Sequence, residues 1–301
     1  MTMPNFFIVG AQKAGTTSLC RYLQEHPQIY ISSIKEPGFF AFEGEKINFC
    51  GPGDERLSNR VVTDLEKYRK LFADVTHETA IGEGTTLYLQ SSKAANRIAH
   101  YVPDAKIIVI LRNPVDRAYS AFMHLKRDNL EKIKIEDFYK ALLEEEKRIN
   151  NNWGFLWRYK TMGLYSQAIE RYYEYFPSHQ IKVYLYEDFN NTPELLKDIY
   201  RFLDVDEQYL PEFLSRYNAS GIPKNRMLYN FMTKENKLRS ALKPIIPNQI
   251  KKRIVNYIKL NNLVKLKLTP ETKTEVIKLF ENDIISLQKI IGRDLSSWLT
   301  Y

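Results

Sequence analysis

A short apolar run that ends in a glycine-bearing, hydroxyl-rich turn constrains this chain more than any other feature. Phe6–Gly10 reads FFIVG, and Gly10-Ala11-Gln12-Lys13-Ala14-Gly15-Thr16-Thr17-Ser18 leads out of it. Over residues 15–25 the pattern becomes helical, with Leu19 and Leu23 four residues apart. Strand, glycine turn, helix is the opening of an α/β unit. Glycines let the turn expose its backbone N–H groups, and the helix N-terminus adds partial positive charge. Lys13 supplies a full charge, and Thr16, Thr17 and Ser18 supply hydroxyl donors. A loop of this kind binds a terminal phosphate or a similar anion.

The rest of the chain extends the α/β pattern. Apolar runs at Ile29–Ile31, 80–82, Lys106–Leu111 (KIIVIL) and 181–186 (IKVYLY) alternate with helical stretches near 63–72, 91–100, 114–128, 135–150, 164–176 and 193–203. This predicts one domain with a central, mostly parallel sheet flanked by helices. The expected core spans 1–205. A helical extension follows over 206–301, broken at Pro244, Pro247 and Pro270 and without a further strand. Residues 36–62 carry Pro37, Gly38, Gly44, Gly51, Pro52 and Gly53 and read as a long irregular insertion.

Details of the loop decide which nucleotide chemistry it fits. A nucleoside-triphosphatase loop, GxxxxGK[ST], puts its lysine after the second glycine. Here Thr16 takes that place and the lysine stands earlier, at Lys13. Such enzymes also hold magnesium through an acidic residue near a strand end. The strongest strand here ends instead in Arg112, which adds a second anion site. Asn113 then caps a helix that has Pro114 in its first turn. Ser120 lies about two turns on, on the face of the helix start. Arg112 and Ser120 can grip one phosphate together. On spacing alone, a surface arginine and a packed serine fit equally well.

Composition sets outer limits. The chain has 301 residues and a net charge of +8, which calls for anionic partners. Residues 224–267 hold nine lysines and three arginines against one acid, Glu235, a local surplus of +11 that exceeds the total. Cys20 and Cys50 are too few for a disulfide framework or a four-thiolate zinc site. No apolar run approaches the ~20 residues that span a bilayer. The N-terminal residues lack a basic stretch followed by a cleavable apolar one. A cytoplasmic protein with no membrane span is expected.

Together these pieces resemble the sulfotransferase superfamily, whose donor is 3′-phosphoadenosine 5′-phosphosulfate (PAPS). Residues 12–19, QKAGTTSL, are similar to its 5′-phosphosulfate loop, and residues 110–120, ILRNPVDRAYS, to its 3′-phosphate motif. His26-Pro27 and residues 35–40, KEPGFF, resemble the bacterial enzymes and the heparan sulfate sulfotransferases. Residues 291–298, IGRDLSSW, look like the end of bacterial members.

The resemblance implies roles. Lys13 assists the leaving phosphate, and Lys13, Ala14, Gly15, Thr16, Thr17 and Ser18 hold the 5′-phosphosulfate. Arg112 and Ser120 bind the 3′-phosphate. Lys224 and Arg226 lie in a run (PKNR) like the one that closes over the nucleotide, and become further 3′-phosphate contacts. Glu36 matches the general base of the heparan-type enzymes; the plainer alternative is an ion pair with Lys35. Cytosolic animal enzymes use histidine, and His124, one helical turn after Ser120, is the rival base.

One departure stands out. Gly84 follows Glu83 where the heparan-type enzymes carry a lysine, so a cation near their acceptor is missing. Glu83 itself is either near the site or simply packed at a strand end. The implied reaction moves a sulfuryl group to a hydroxyl or amine of a small natural product or glycan. It releases adenosine 3′,5′-bisphosphate (PAP) and needs no metal. Trp153, Phe155 and Trp157, with the 36–62 insertion, would wall the acceptor pocket. The competing class is a P-loop-type nucleotide kinase using ATP and magnesium. A nucleic-acid or membrane-surface role driven by residues 224–267 ranks below both, and the sequence sets no oligomeric state.

Overall fold

The computed structural model describes residues 2–211, 222–223, 263–264 and 266–300. Five strands, β1 (Phe6–Gly10), β2 (Ile29–Ile31), β3 (Ala80–Gly84), β4 (Lys106–Leu111) and β5 (Ile181–Leu185), form one sheet in the order β2-β3-β1-β4-β5. Every pairing is parallel, so the expected mostly parallel sheet is wholly so. All five residues of β1 and of β3 are buried. Strand side chains alternate between faces, so both faces of the sheet are covered.

The helices are α1 (Thr16–Gln24), α2 (Phe39–Phe42), α3 (Glu55–Ser58), α4 (Leu65–Arg69), α5 (Ala94–Tyr101), α6 (Pro114–Arg127), α7 (Phe138–Leu143), α8 (Glu145–Asn150), α9 (Ser166–Tyr175), α10 (Thr192–Leu203), α11 (Pro270–Lys278) and α12 (Glu281–Ile291). The insertion at 36–62 is therefore not wholly irregular, since it carries α2 and α3. The stretch at 135–150 divides into α7 and α8. α12 packs against α9, and Asp283 accepts the backbone N–H groups of Tyr165 and Ser166 at 2.7 and 3.0 Å. Beyond residue 205 the expectation of no strand is corrected. Ile222–Pro223 pairs antiparallel with Leu263–Val264. Pieces this short carry no periodic signal. Lys224, Arg226 and most of the basic segment lie outside the described residues.

Register places the phosphate loop. β1 pairs evenly with β4 through Ile8 opposite Ile108, then slips at Val9 so that Gly10 faces Val109. Such a bulge bends the strand end. Ala11 N–H then reaches Ile110 O, and Leu89 N–H reaches Val9 O. The loop is thus pinned from both neighbouring strands. On the other side of β4, Asn113 caps α6 by accepting the N–H groups of Val115 and Asp116 at 3.0 and 3.4 Å. The cap fixes where α6 starts, and with it Ser120. Asn113→Ala removes a buried cap and is expected to cost about 1 kcal/mol of stability. A fall in melting temperature of about 2 °C or more would register it.

Candidate functional site

A cleft of about 1030 Å³ opens at the carboxyl ends of the strands. Gly15, Thr16, Thr17 and Ser18 line it at the N-terminus of α1, where helix geometry leaves N–H groups without intrahelical acceptors. Gly15 has φ 95°, and a Cβ there would lie 2.8 Å from the Phe189 ring, so only glycine makes this turn. Ala14 is the exception among the expected loop residues. It is fully buried, and its N–H is spent on Ala11 O.

Lys13 projects into the cleft from a left-handed backbone position, φ 67°. Burial lowers its pKa from 10.5 to about 8, and the positive charges of Arg127, Arg112 and Lys35 add to the effect. Arg112 anchors the loop by donating from Nη1 to Lys13 O at 3.1 Å. Its guanidinium lies 4.7 Å over the Tyr186 ring, and its buried Nε has no partner among the described residues. Ser120 lines the same cleft. The sequence-derived pair is therefore together, with donor capacity unspent.

Glu36 lines the same cleft, on the segment after β2, with φ 56°. The expected alternative, an ion pair with Lys35, is corrected. Lys35 turns away and donates to Thr17 Oγ1. Glu36 pairs instead with Arg60, Nη2 to Oε2 at 3.0 Å, and accepts from Thr86 Oγ1 at 3.0 Å on Oε1.

His124 is also at the site. Arg127 Nη2 donates to its Nδ1 at 3.0 Å, and Lys13 Nζ stands 3.4 Å from the same nitrogen. Nδ1 is therefore the unprotonated nitrogen. Burial, then Lys13 and Arg127, push the imidazole pKa far below the ordinary histidine range. The 3.9 Å approach of Nε2 to Asp128 is then a contact of a neutral ring. With two cations on its basic nitrogen, His124 is badly placed to take a proton.

Eight lysines and arginines among the described residues line the cleft against two acids, Glu36 and Asp116. Four of them, Arg56, Arg60, Arg127 and Lys273, have no sequence motif. Arg56 pairs with Asp128 at 2.9 Å. The expected aromatic wall is not what forms. Trp157 is buried, Phe155 packs on Phe42 and Phe49, and the lining from these segments is Glu36, Arg56, Leu57, Arg60 and Leu156.

Glu83 is packed rather than exposed to the cleft. It is fully buried and accepts from Tyr68, Tyr88 and Thr85 hydroxyls at 2.8, 2.7 and 2.6 Å. Next to it, a Cβ on Gly84 would fall 2.6 Å from Cys20 Sγ. The position that bears a cation in the heparan-type pattern is closed by Cys20.

The all-parallel sheet, its flanking helices and the strand-end cleft define an α/β fold with its candidate site at the strand ends. The model of the sulfotransferase family matches residues 4–209. A crystal structure of a sulfotransferase from Alicyclobacillus acidocaldarius is similar over the full length of both chains, at 34% identity and a TM-score of 0.78. A mouse bifunctional heparan sulfate N-deacetylase/N-sulfotransferase is 30% identical over 69% of this chain, which spans 23% of that relative. A membrane-associated sulfotransferase of Dictyostelium discoideum is 24% identical over 77% of this chain and 62% of its own length. The chain belongs to the sulfotransferase family, and it is a transferase enzyme. Among the described residues, no helix is long and apolar enough to cross a membrane.

Burial raises the Glu83 pKa from 4.5 to about 7. Between those values the folded chain keeps a proton that the unfolded chain has lost. The group's contribution is full below pH 4.5 and disappears as pH rises through 7. Each pKa unit is about 1.4 kcal/mol, so about 3 kcal/mol is at stake. Glu83→Gln is neutral at every pH. Its denaturation midpoint is expected to change less between pH 4.5 and 7.5 than that of wild type.

Proposed function

We propose that this protein transfers a sulfuryl group from PAPS to a hydroxyl or amine of a small natural product or glycan. The observation that carries the reading is the pairing of two anion-binding groups in one cleft. One is the Lys13–Ser18 loop after β1; the other is Arg112 with Ser120 after β4. A donor with phosphate groups at both its 3′ and 5′ positions needs two such groups at once. Arg112, a cleft-lining arginine, suits the 3′-phosphate. The Thr16–Ser18 helix start suits the 5′-phosphosulfate.

In this reading the acceptor oxygen or nitrogen attacks sulfur in line, and the bond between sulfur and the bridging oxygen breaks. The acceptor's proton passes to Glu36, whose side chain lines the same cleft as Lys13. Lys13, protonated, stabilises the charge that develops on the leaving phosphate. PAP departs. Lys224 and Arg226 remain proposed 3′-phosphate contacts. Residues 206–301 are taken as an extension of the 1–205 core, and the cytoplasm as the compartment, in keeping with Cys20 and Cys50 as free thiols. The mouse relative's name describes an N-sulfotransferase, so amine acceptors come first in a screen with labelled donor.

Calorimetry tests the donor. PAP is expected to bind without added metal, and tight binding of ATP with none of PAP would overturn the reading in favour of a nucleotide kinase. Lys13 loses its proton above about pH 8 in the free protein, so PAP affinity should weaken as pH rises past that value. Lys13→Arg should move the decline to higher pH. Glu36→Gln is expected to leave PAP binding intact and slow transfer by about 10²–10⁴. If that variant kept most of its turnover, Glu36 would not be the base.

A further inference from the structure

Arg60 lies outside every motif, and its nearest partner is the carboxylate assigned as base. We infer that Arg60 is a positioning residue for Glu36, holding the carboxylate in the one orientation from which it meets the acceptor. The inference rests on the proposed role of Glu36 in sulfuryl transfer.

Three observations carry it. Glu36 is held at both oxygens from two different chain segments: Thr86, just after β3, donates to Oε1, and Arg60, just after α3, reaches Oε2, each at 3.0 Å. Neither oxygen is left to swing, yet each keeps a lone pair for an incoming proton. The backbone enforces the meeting. Val62 N–H bonds to Pro37 O at 2.8 Å and Glu36 N–H bonds to Gly84 O at 3.2 Å, so residues 60–62 run beside 36–38 and both lie against the end of β3. A Cβ on Gly38 would sit 3.2 Å from Val61 Cγ2, so the two segments approach closely. The same short helix is tied separately, by Arg56 to Asp128 at 2.9 Å. The segment around α3 is therefore anchored by two ion pairs.

Stability does not explain the arrangement. The Arg60 and Glu36 side chains are 43% and 21% exposed, and pairs this open add little to folding. Orientation does explain it, because a base acts only when its oxygen is held close to the productive geometry. Arginine suits the task because its charge is permanent, so the single Nη2–Oε2 ion pair persists at every working pH.

The test uses the full chain, PAP as binding probe, and labelled PAPS as donor. Transfer is read to the best acceptor from the screen or, failing one, to water as free sulfate. Arg60→Ala should leave PAP affinity unchanged and lower turnover by about tenfold to a hundredfold, with acceptor KM little changed. Arg60→Lys should recover part of the loss. The decisive comparison is Arg60→Ala in the Glu36→Gln background, where a residue acting through Glu36 has nothing left to position. There it should cost no further turnover. The same proportional loss in both backgrounds, or no loss in wild type, would overturn the inference. Failure of wild type to bind PAP would instead strike the sulfotransfer reading itself.

Discussion

The cleft exists because five parallel strands end on the same side. Each strand end delivers a different group to it. β2 leads to Glu36, β3 to Thr86, β1 to Lys13, β4 to Arg112 and β5 to Tyr186. An antiparallel sheet would send alternate ends to opposite edges and scatter these groups. Parallel pairing demands crossover connections, and the helices that supply them bury both faces of the sheet. The site and the core therefore follow from one topology. The slip at Val9 refines it, aiming the end of β1 toward the gap between its two neighbours.

Charge crowding is the second constraint. Lys13 is buried beside Arg112, Arg127 and Lys35, and its pKa is lowered first by that burial and then by those charges. Burial, with Lys13 and Arg127 adding to it, keeps His124 neutral. A cleft that gathers cations it does not neutralise is electrostatically costly when empty, and a polyanionic ligand relieves the cost. Thus a donor would be drawn by the same repulsion that raises the energy of the free protein. Asp128 moderates the field on one wall by pairing with Arg56 and Arg127. Glu36 does so on the other.

Features written in local pattern were legible in the sequence. The five sheet strands, the phosphate loop, the Asn113 cap and the Arg112–Ser120 spacing each depend on residues close together in the chain. The partners of Glu36 were not legible, for a geometric reason. Glu36 has φ 56°, so consecutive side chains at 35 and 36 diverge, and the charged neighbour in sequence is not the neighbour in space. Arg60 reaches Glu36 only because the insertion folds back along Pro37, a contact with no periodicity to announce it. The tryptophans misled in the opposite direction. Trp157 was expected to face an acceptor, but Arg148 lies 4.9 Å over its ring. Arg148 also pairs with Glu131 at 2.9 Å, and this buried ion pair draws the aromatic cluster into the core.

The closed position at Gly84 gives the two halves of the cleft different origins. On the side of Lys13 and Arg112, groups hang directly from strand ends and loop backbone, where the sheet fixes them. On the other side, strand β3 offers no cation, because Cys20 occupies the space a side chain at 84 would need. Positive charge there comes instead from Arg56 and Arg60, carried by the insertion and paired with Asp128 and Glu36. A lysine rooted in the strand would have been fixed by the core. Arginines rooted in the insertion are fixed only while Asp128 and Glu36 hold them. On the sulfotransfer reading, the geometry of the base and the seating of the insertion are therefore one mechanical unit, joined by the 3.0 Å Arg60–Glu36 pair and by the Val62 N–H bond to Pro37 O.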